Sequence, residues 1–199
     1  MEEKSNYTYR HFLTRFFNVL FKTNSEWKTV NHESCNINDI LAQYSLILMA
    51  ICTITKFLFL IFSVHEEIYV AMIKSALLFA YLFGGLYLSY YLARALIYEY
   101  EKEGDFKIIA YSATPLYIAT ILETFLFEIY NEFAYFVYAL ILYCVFIAYN
   151  GIRNIYELKK KDSLYIGISL TLIIICVHVF FRIIYKLIIF SEVVGFLND

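Results

Sequence analysis

Ionisable side chains inside long apolar stretches are the residues of this sequence best placed to do chemistry. Five of them, which we call the polar layer, are Lys56, Lys74, Glu123, His178 and Arg182. His178, Arg182 and Lys186 follow one another at intervals of four residues, so they share one helix face. Charged groups in lipid are costly and commonly mark ion or proton pathways, which makes the polar layer a candidate solute or proton site. The alternative is structural, with long side chains reaching the outer interface and Glu123 acting as counter-ion for Lys56 or Arg182.

The elements that must position these residues are apolar stretches of membrane-spanning length. The chain has 199 residues, of which 61% are hydrophobic and 17% charged, and this is too little charge for the surface of a water-soluble domain. A transmembrane helix needs about 20 mainly apolar residues. Five stretches qualify, at residues 40–62, 68–97, 108–127, 133–149 and 164–190. The sequence therefore predicts an all-α, polytopic integral membrane protein with five transmembrane helices, preceded by residues 1–38 and followed by the short tail 191–199.

Basic residues between the stretches predict the orientation. Twelve of the 16 Lys and Arg residues lie in the N-terminal segment or at the connections after the second and fourth stretches, and the other connections and the tail have none. Positive residues stay on the cytoplasmic side, so we predict a cytoplasmic N-terminus and a C-terminus on the opposite side. At about 1.5 Å per residue, Lys56, Glu123 and His178 lie roughly 21–24 Å from the cytoplasmic edge. The polar layer is therefore expected in the outer half of the bilayer.

The N-terminal segment contains an amphipathic stretch at His11–Lys22. Thr14, Arg15 and Asn18 fall on one helical face, and aromatic and aliphatic residues fill the other. This pattern is typical of a helix that lies in the membrane interface, where it senses the membrane, docks a partner or simply anchors the first span. We expect membrane lipids as partners, with a membrane-protein partner or a second copy of the chain as a further one. The net charge of −2 gives no reason to expect nucleic acid.

Two features within the stretches concern helix packing. Thr114-Pro115 predicts a kink in the third stretch, with the freed carbonyl satisfied by a Ser or Thr side chain, water or a neighbouring helix. Small residues let helices approach closely, either inside the bundle or in a homodimer. The second stretch carries two rows of them at helical spacing, Ala76, Ala80 and Gly84 in one and Gly85, Ser89 and Ala93 in the other.

Motifs for metal binding, cofactor binding or catalysis are absent from the sequence. His32 and Cys35 have the spacing of metal ligands, but a zinc site needs about four. The chain contains no CxxC, HExxH or GxSxG pattern. We therefore predict a protein without metal, cofactor or catalytic residues, and not an enzyme.

Three stretches resemble the Yip (Ypt-interacting protein) domain family in its short prokaryotic form. Trp27 and Glu33 match the segment before the first span, although Thr23-Asn24 replaces the usual Ser-Pro. The other matches are an A-Y-x-x-T-P pattern and a glycine before the last span, carried by Ala110, Tyr111, Thr114, Pro115 and Gly151. The resemblance implies a five-helix membrane domain, here residues 39–190, with a cytoplasmic N-terminus and no catalytic residues. The binding of Rab-type GTPases, which is known of eukaryotic relatives, is not carried over.

Two functions remain open at this point. The first is a non-enzymatic Yip-family integral membrane protein that organises protein or lipid partners. The alternative is a small channel or transporter that uses the polar layer. Either function predicts a multi-pass membrane protein, in the plasma (inner) membrane if the source is prokaryotic.

Overall fold

The computed structural model describes residues 9–33, 35–96, 104–126 and 134–196, and these ranges are almost entirely helical. A π-helical turn, Leu41–Ser45, joins the third helix to the fourth. The helices are α1 Tyr9–Phe21, α2 Thr23–His32, α3 Ile37–Ile40, α4 Leu46–Phe62, α5 Ile68–Leu96, α6 Gly104–Ser112, α7 Thr114–Leu126, α8 Ala134–Tyr156 and α9 Lys160–Phe196. The predicted all-α class is confirmed. Residues 1–8, Lys102, the connection 128–132 and residues 197–199, all used in the sequence predictions, lie outside the described residues.

Four helical stretches are long and apolar enough to cross a membrane. They are Ile37–Phe62, Ile68–Ala95, Gly104–Phe125 and Lys160–Ile189. They match the predicted first, second, third and fifth spans and confirm the polytopic architecture. The predicted fourth span falls in α8, which has 23 residues and whose start coincides with the edge of the described residues. The count of five spans and the orientation of the termini stay predictions.

The third span, α6 followed by α7, forms the centre of the bundle. In its most apolar window 67% of the residues are buried, compared with 28–33% in the other three spans. Around it, α5 packs between α4 and α9, and α9 packs against α8. Every residue from Gly104 to Tyr117 is buried. The described part of this helix starts at Gly104, four residues before the predicted start of the span and at the edge of the described residues, and its polar first turn is enclosed by protein.

Residues 9–33, which we call the N-terminal arm, contact α6 and complete the set of helices that enclose it. The α2 helix packs along α8, and the rings of Phe12 in α1 and Tyr44 in the π-helical turn lie 5.8 Å apart. At the other end of α1, the hydroxyl of Tyr143 in α8 donates to the carbonyl of Leu20 at 2.5 Å. The two ends of α1 thus contact different spans. The arm therefore crosses from the first span to α8 and fills the space between them.

Thr114-Pro115 separates α6 from α7, as the kink prediction requires. Proline has no N–H, so the carbonyl of Tyr111, four residues earlier, loses its usual helical donor. The Thr114 hydroxyl donates to this carbonyl at 2.7 Å. Of the alternatives given by the sequence, a threonine side chain satisfies the freed group.

The two rows of small residues on α5 have different surroundings. Ala76 and Ala80 are exposed. Gly84 faces α9, where an added Cβ would lie 3.2 Å from the ring of Phe181. In the other row Gly85, Ser89 and Ala93 are buried. The second row therefore packs within the bundle, and the homodimer contact stays a hypothesis for the first.

Gly151 is the place where the arm approaches α8 most closely. A Cβ built on Gly151 would lie 2.7 Å from Cζ2 of Trp27, closer than real contacts allow. The Trp27 side chain is 2% exposed, so its ring has little room to move away. A glycine at this position is required for the indole to lie flat on the helix.

We predict that Gly151→Val displaces Trp27 and destabilises the protein by about 1–3 kcal/mol, the usual range for overpacking. Trp27 is the single tryptophan of the chain, so its fluorescence emission reports the displacement directly. The control is Gly85→Ala, where an added Cβ meets nothing within 4 Å and the emission should not change. Wild-type emission and stability in Gly151→Val would contradict the packing described here.

Candidate functional site

Four charged side chains, three of them buried and one partly exposed, join the N-terminal arm to the central helix. We call this group the charge cluster, and its members are Arg15, Glu26, Glu33 and Lys107. The Nε of Arg15 lies 2.9 Å from Oε1 of Glu26. Its Nη1 donates to Oε2 of Glu33 at 2.8 Å, and its Nη2 donates to the other oxygen of the same carboxylate. Two carboxylates therefore share one guanidinium, and the bidentate pair fixes the direction of the Arg15 side chain.

Lys107 completes the charge cluster from α6. Its Nζ donates to the carbonyls of Val30 at 3.1 Å and Glu33 at 2.6 Å. Val30 lies in the last turn of α2, at the negative end of the helix dipole, where a cation is stabilising; its carbonyl also accepts from the Glu33 N–H at 3.3 Å. With two positive and two negative members, the charge cluster is electrically balanced. Burial of these charges is tolerated because each has a partner.

A layer of aromatic rings and hydroxyls continues from Arg15 towards the bundle centre. The Arg15 Nη1 also donates to the Tyr111 hydroxyl at 3.3 Å. The Tyr44 and Thr114 hydroxyl oxygens are 2.8 Å apart, and Tyr44 is the donor because Thr114 gives its proton to the Tyr111 carbonyl. The Tyr111 ring stands edge-on to Tyr44 at 4.7 Å and to Trp27 at 5.6 Å, a geometry that aromatic pairs favour.

Three further side-chain contacts hold the arm and the start of α6 in place. Asn18 donates to the second carboxylate oxygen of Glu26 at 2.8 Å. Asn154 at the end of α8 donates to Asn24 at 3.1 Å. The hydroxyl of Tyr156 donates to Asp105, which is 4% exposed. Both charged residues at the start of α6 are therefore satisfied by neighbouring elements.

Direct contacts in the polar layer are mostly pairwise, although several of its charged groups lie close enough to interact electrostatically. Arg182 and Glu123 form an ion pair at 2.8 Å between Nη1 and Oε1, linking α9 to α7. Lys74 pairs with Glu66, and the Tyr81 hydroxyl is hydrogen-bonded to Nε2 of His178. The Lys56 ammonium lies 5.6 Å from the centre of the Phe59 ring, within cation–π range. Of the five predicted residues, the structure brings Glu123 and Arg182 into direct contact, and Lys74 and His178 have partners outside the set.

A small cavity lies beside His178, between α5, the central helix and α9. Its volume is about 20 Å³, and its lining includes Gly85, Ser89 and Tyr117. A second cavity, of about 10 Å³, lies next to Arg15 and Tyr111. A site needs roughly 10–15 Å³ to hold one water molecule. In the described residues these cavities have room for single water molecules.

Sequence reasoning missed the charge cluster. The amphipathic pattern predicts Arg15 on the polar face of an interfacial helix, yet it is buried at 9% exposure. The count of basic residues predicts Lys107 in a cytoplasmic connection, yet it is 7% exposed and reaches the end of α2. The signal that could have found the site is the family resemblance, because its separate motifs meet here. The converging positions are Trp27, Glu33, Tyr111, Thr114, Pro115 and Gly151.

The His32 and Cys35 pair was considered as a fragment of a zinc site. His32 is exposed and Cys35 is half-buried. Within the described parts of the chain, no group of three or more His, Cys, Asp or Glu residues converges. Among the described residues, no third His, Cys, Asp or Glu side chain therefore lies close enough to His32 and Cys35 to form a metal site with them.

A family model described as Yip1 domain matches residues 17–181 of the chain. The match includes three members of the charge cluster, Glu26, Glu33 and Lys107, together with the aromatic layer. Comparison with curated proteins and with solved structures gives no match.

We predict that Arg15→Met destabilises the protein by about 3–5 kcal/mol, because it leaves two carboxylates without their cation. The effect should fall towards the lower value, since the Glu33 side chain is 24% exposed and water can reach it. Unfolding curves in one detergent provide the measurement, with exposed Lys22→Met as the control. In a double-mutant cycle, the addition of Glu33→Met should recover part of the loss, and strict additivity would contradict a direct interaction.

We predict that Thr114→Val destabilises the protein by about 1–3 kcal/mol for each buried group that it leaves unpaired, the Tyr111 carbonyl and the Tyr44 hydroxyl. Thr120→Val is the matched control, because Thr120 donates to the Leu116 carbonyl within the continuous helix α7. Both variants are compared by thermal unfolding. Equal losses in the two would show that the Thr114 hydroxyl has no special role at the kink.

Proposed function

Since the chain belongs to the Yip1 domain family, we propose that it is a non-enzymatic membrane protein that organises lipid or protein partners at the cytoplasmic surface. It is a multi-pass membrane protein, and we place it in the plasma membrane if the source is prokaryotic. A row of exposed apolar side chains on α1 is the observation that carries the proposal.

This row, which we call the α1 ridge, consists of Leu13, Phe17 and Phe21. Spacing of four residues aligns them on one face of α1. They are 56%, 53% and 78% exposed, whereas Phe12 and Val19 on the opposite face are buried in the bundle. A contiguous apolar surface of this kind commonly marks a site of interaction with a protein or a membrane. The chain buries one side of α1 itself and leaves the other for a partner.

Three tyrosines from three different spans give the depth of α1. Tyr44 contacts Phe12, Tyr111 contacts Arg15, and Tyr143 contacts the Leu20 carbonyl. At about 1.5 Å per residue, Tyr44 and Tyr111 lie roughly 10 Å inside the starts of their spans at Ile37 and Gly104, and Tyr143 lies roughly 9 Å inside the predicted end of the fourth span at residue 149. Interfacial helices bury their apolar face about 5–10 Å into the boundary between headgroups and acyl chains. The depth supports the α1 ridge as a surface that meets the membrane.

The alternative of a small channel or transporter has less support. Among the described residues, Glu123 is engaged by Arg182 and His178 by Tyr81. The cavity beside His178 has a volume of about 20 Å³, which suits one water molecule rather than a solute path. These contacts favour structural ion pairs and hydrogen bonds, which is the other reading that the sequence allows for the polar layer.

Photocrosslinking from the α1 ridge tests the proposal. Phe17 is replaced by benzoylphenylalanine, an aromatic residue of related shape, and membranes containing the full chain are irradiated. We expect adducts to phospholipid or to a discrete membrane protein. The matched control carries the same group at Lys28, which is exposed on α2 outside the α1 ridge. Adduct yields at Phe17 no higher than at Lys28 would contradict the proposal.

A further inference from the structure

We infer that α1 is a wedge in the cytoplasmic leaflet, through which the protein concentrates in membranes whose cytoplasmic leaflet is convex. In this arrangement the α1 ridge contacts the acyl chains of the lipids in that leaflet. This inference rests on the proposed function, because it requires the α1 ridge to contact lipid. It adds a preference for membrane shape.

The first support is the position of the N-terminal arm beside the predicted cytoplasmic ends of the spans. The arm contacts Tyr44, Tyr111 and Tyr143, and its Trp27 ring lies on Gly151. All of these positions are within about 10 Å of the predicted cytoplasmic ends of their spans, taken at Ile37, Gly104 and residue 149. In the outer half, the pairs of the polar layer come from the spans and their connecting loop. The arm therefore increases the cross-sectional area of the protein in the predicted cytoplasmic half of the bilayer.

The second support is the fixed position of α1. A floating amphipathic helix can leave the membrane or turn its apolar face inward. Here the bidentate Arg15–Glu33 pair and the bond between Tyr143 and the Leu20 carbonyl hold α1 at both its middle and its end. The α1 ridge cannot turn into the bundle, because Phe12 and Val19 already occupy the buried side. These contacts hold the α1 ridge facing away from the bundle.

The third support is the chemistry of the outward face. From Phe12 to Phe21, the exposed positions of α1 are Leu13, Thr14, Phe17 and Phe21, and none of these is charged. Arg15 does not face outward, because it is buried in its ion pairs with Glu26 and Glu33. The next residue, Lys22, is an exposed cation that can add attraction to anionic headgroups, whereas the α1 ridge itself is apolar and responds to the gaps between lipids that widen on a convex leaflet. The protein is thus expected to recognise curvature in neutral membranes.

The test uses the full chain reconstituted in phosphatidylcholine liposomes of widely varied size. A membrane-impermeant dye labels the N-terminus, so only molecules with the cytoplasmic side outward are counted. Protein density per membrane area is then measured on single liposomes. We expect the density of the wild-type protein to rise steadily from the largest to the smallest liposomes, because binding of an apolar helix face is sensitive to curvature. The variant L13S/F17S/F21S should show the same density at all sizes.

The matched control alters three exposed positions on α2, in the variant K28S/T29S/N31S, which should behave like the wild type. Trp27 emission confirms that the arm stays docked in each variant. A wild-type density that is independent of size, or equal size dependence in L13S/F17S/F21S, overturns the inference. A size dependence that arises only with anionic lipid also overturns it, in favour of electrostatic binding. Lipid adducts at Phe17 without size dependence would reject the wedge and leave the proposed function standing.

Discussion

The central helix of this protein carries charge into the middle of a bundle, and the rest of the structure depends on how that charge is satisfied. Asp105 and Lys107 stand at the start of α6 and are 4% and 7% exposed. A buried charge without partners is strongly destabilising. Tyr156 of α8 satisfies the first, and two carbonyls near the end of α2 satisfy the second. The N-terminal arm is therefore packed against α6 and supplies hydrogen-bond partners for it.

The same requirement explains why the arm has one position. Lys107 hydrogen-bonds to the end of α2, and Arg15 of α1 pairs with the carboxylates of Glu26 and Glu33. Trp27 fits only where α8 presents the glycine at position 151. Charge and shape thus specify the same docked arrangement. This arrangement fixes which face of α1 is exposed, and so links the charge cluster to the proposed function of the α1 ridge.

Composition and local pattern were enough to predict the coarse fold. Long apolar runs identify spans because the bilayer fixes their length, and Pro115 identifies the kink because it lacks an N–H. The contact between Glu123 and Arg182 was among the alternatives that the sequence left open. The charge cluster was not predicted, because a count of basic residues assigns Lys107 by its place in the chain. Its partner carbonyl at Val30 is 77 residues away, and such pairings depend on the tertiary fold.

The central claim is that the N-terminal arm is docked in the intact protein, and the most direct measurement is quenching of Trp27 fluorescence in nanodiscs. Trp27 is the single tryptophan and is 2% exposed, so a water-soluble quencher should reach it poorly. We predict a quenching constant far below that of a free tryptophan analogue under the same conditions. Quenching as efficient as that of the free analogue would mean that the arm is not docked and would contradict the account.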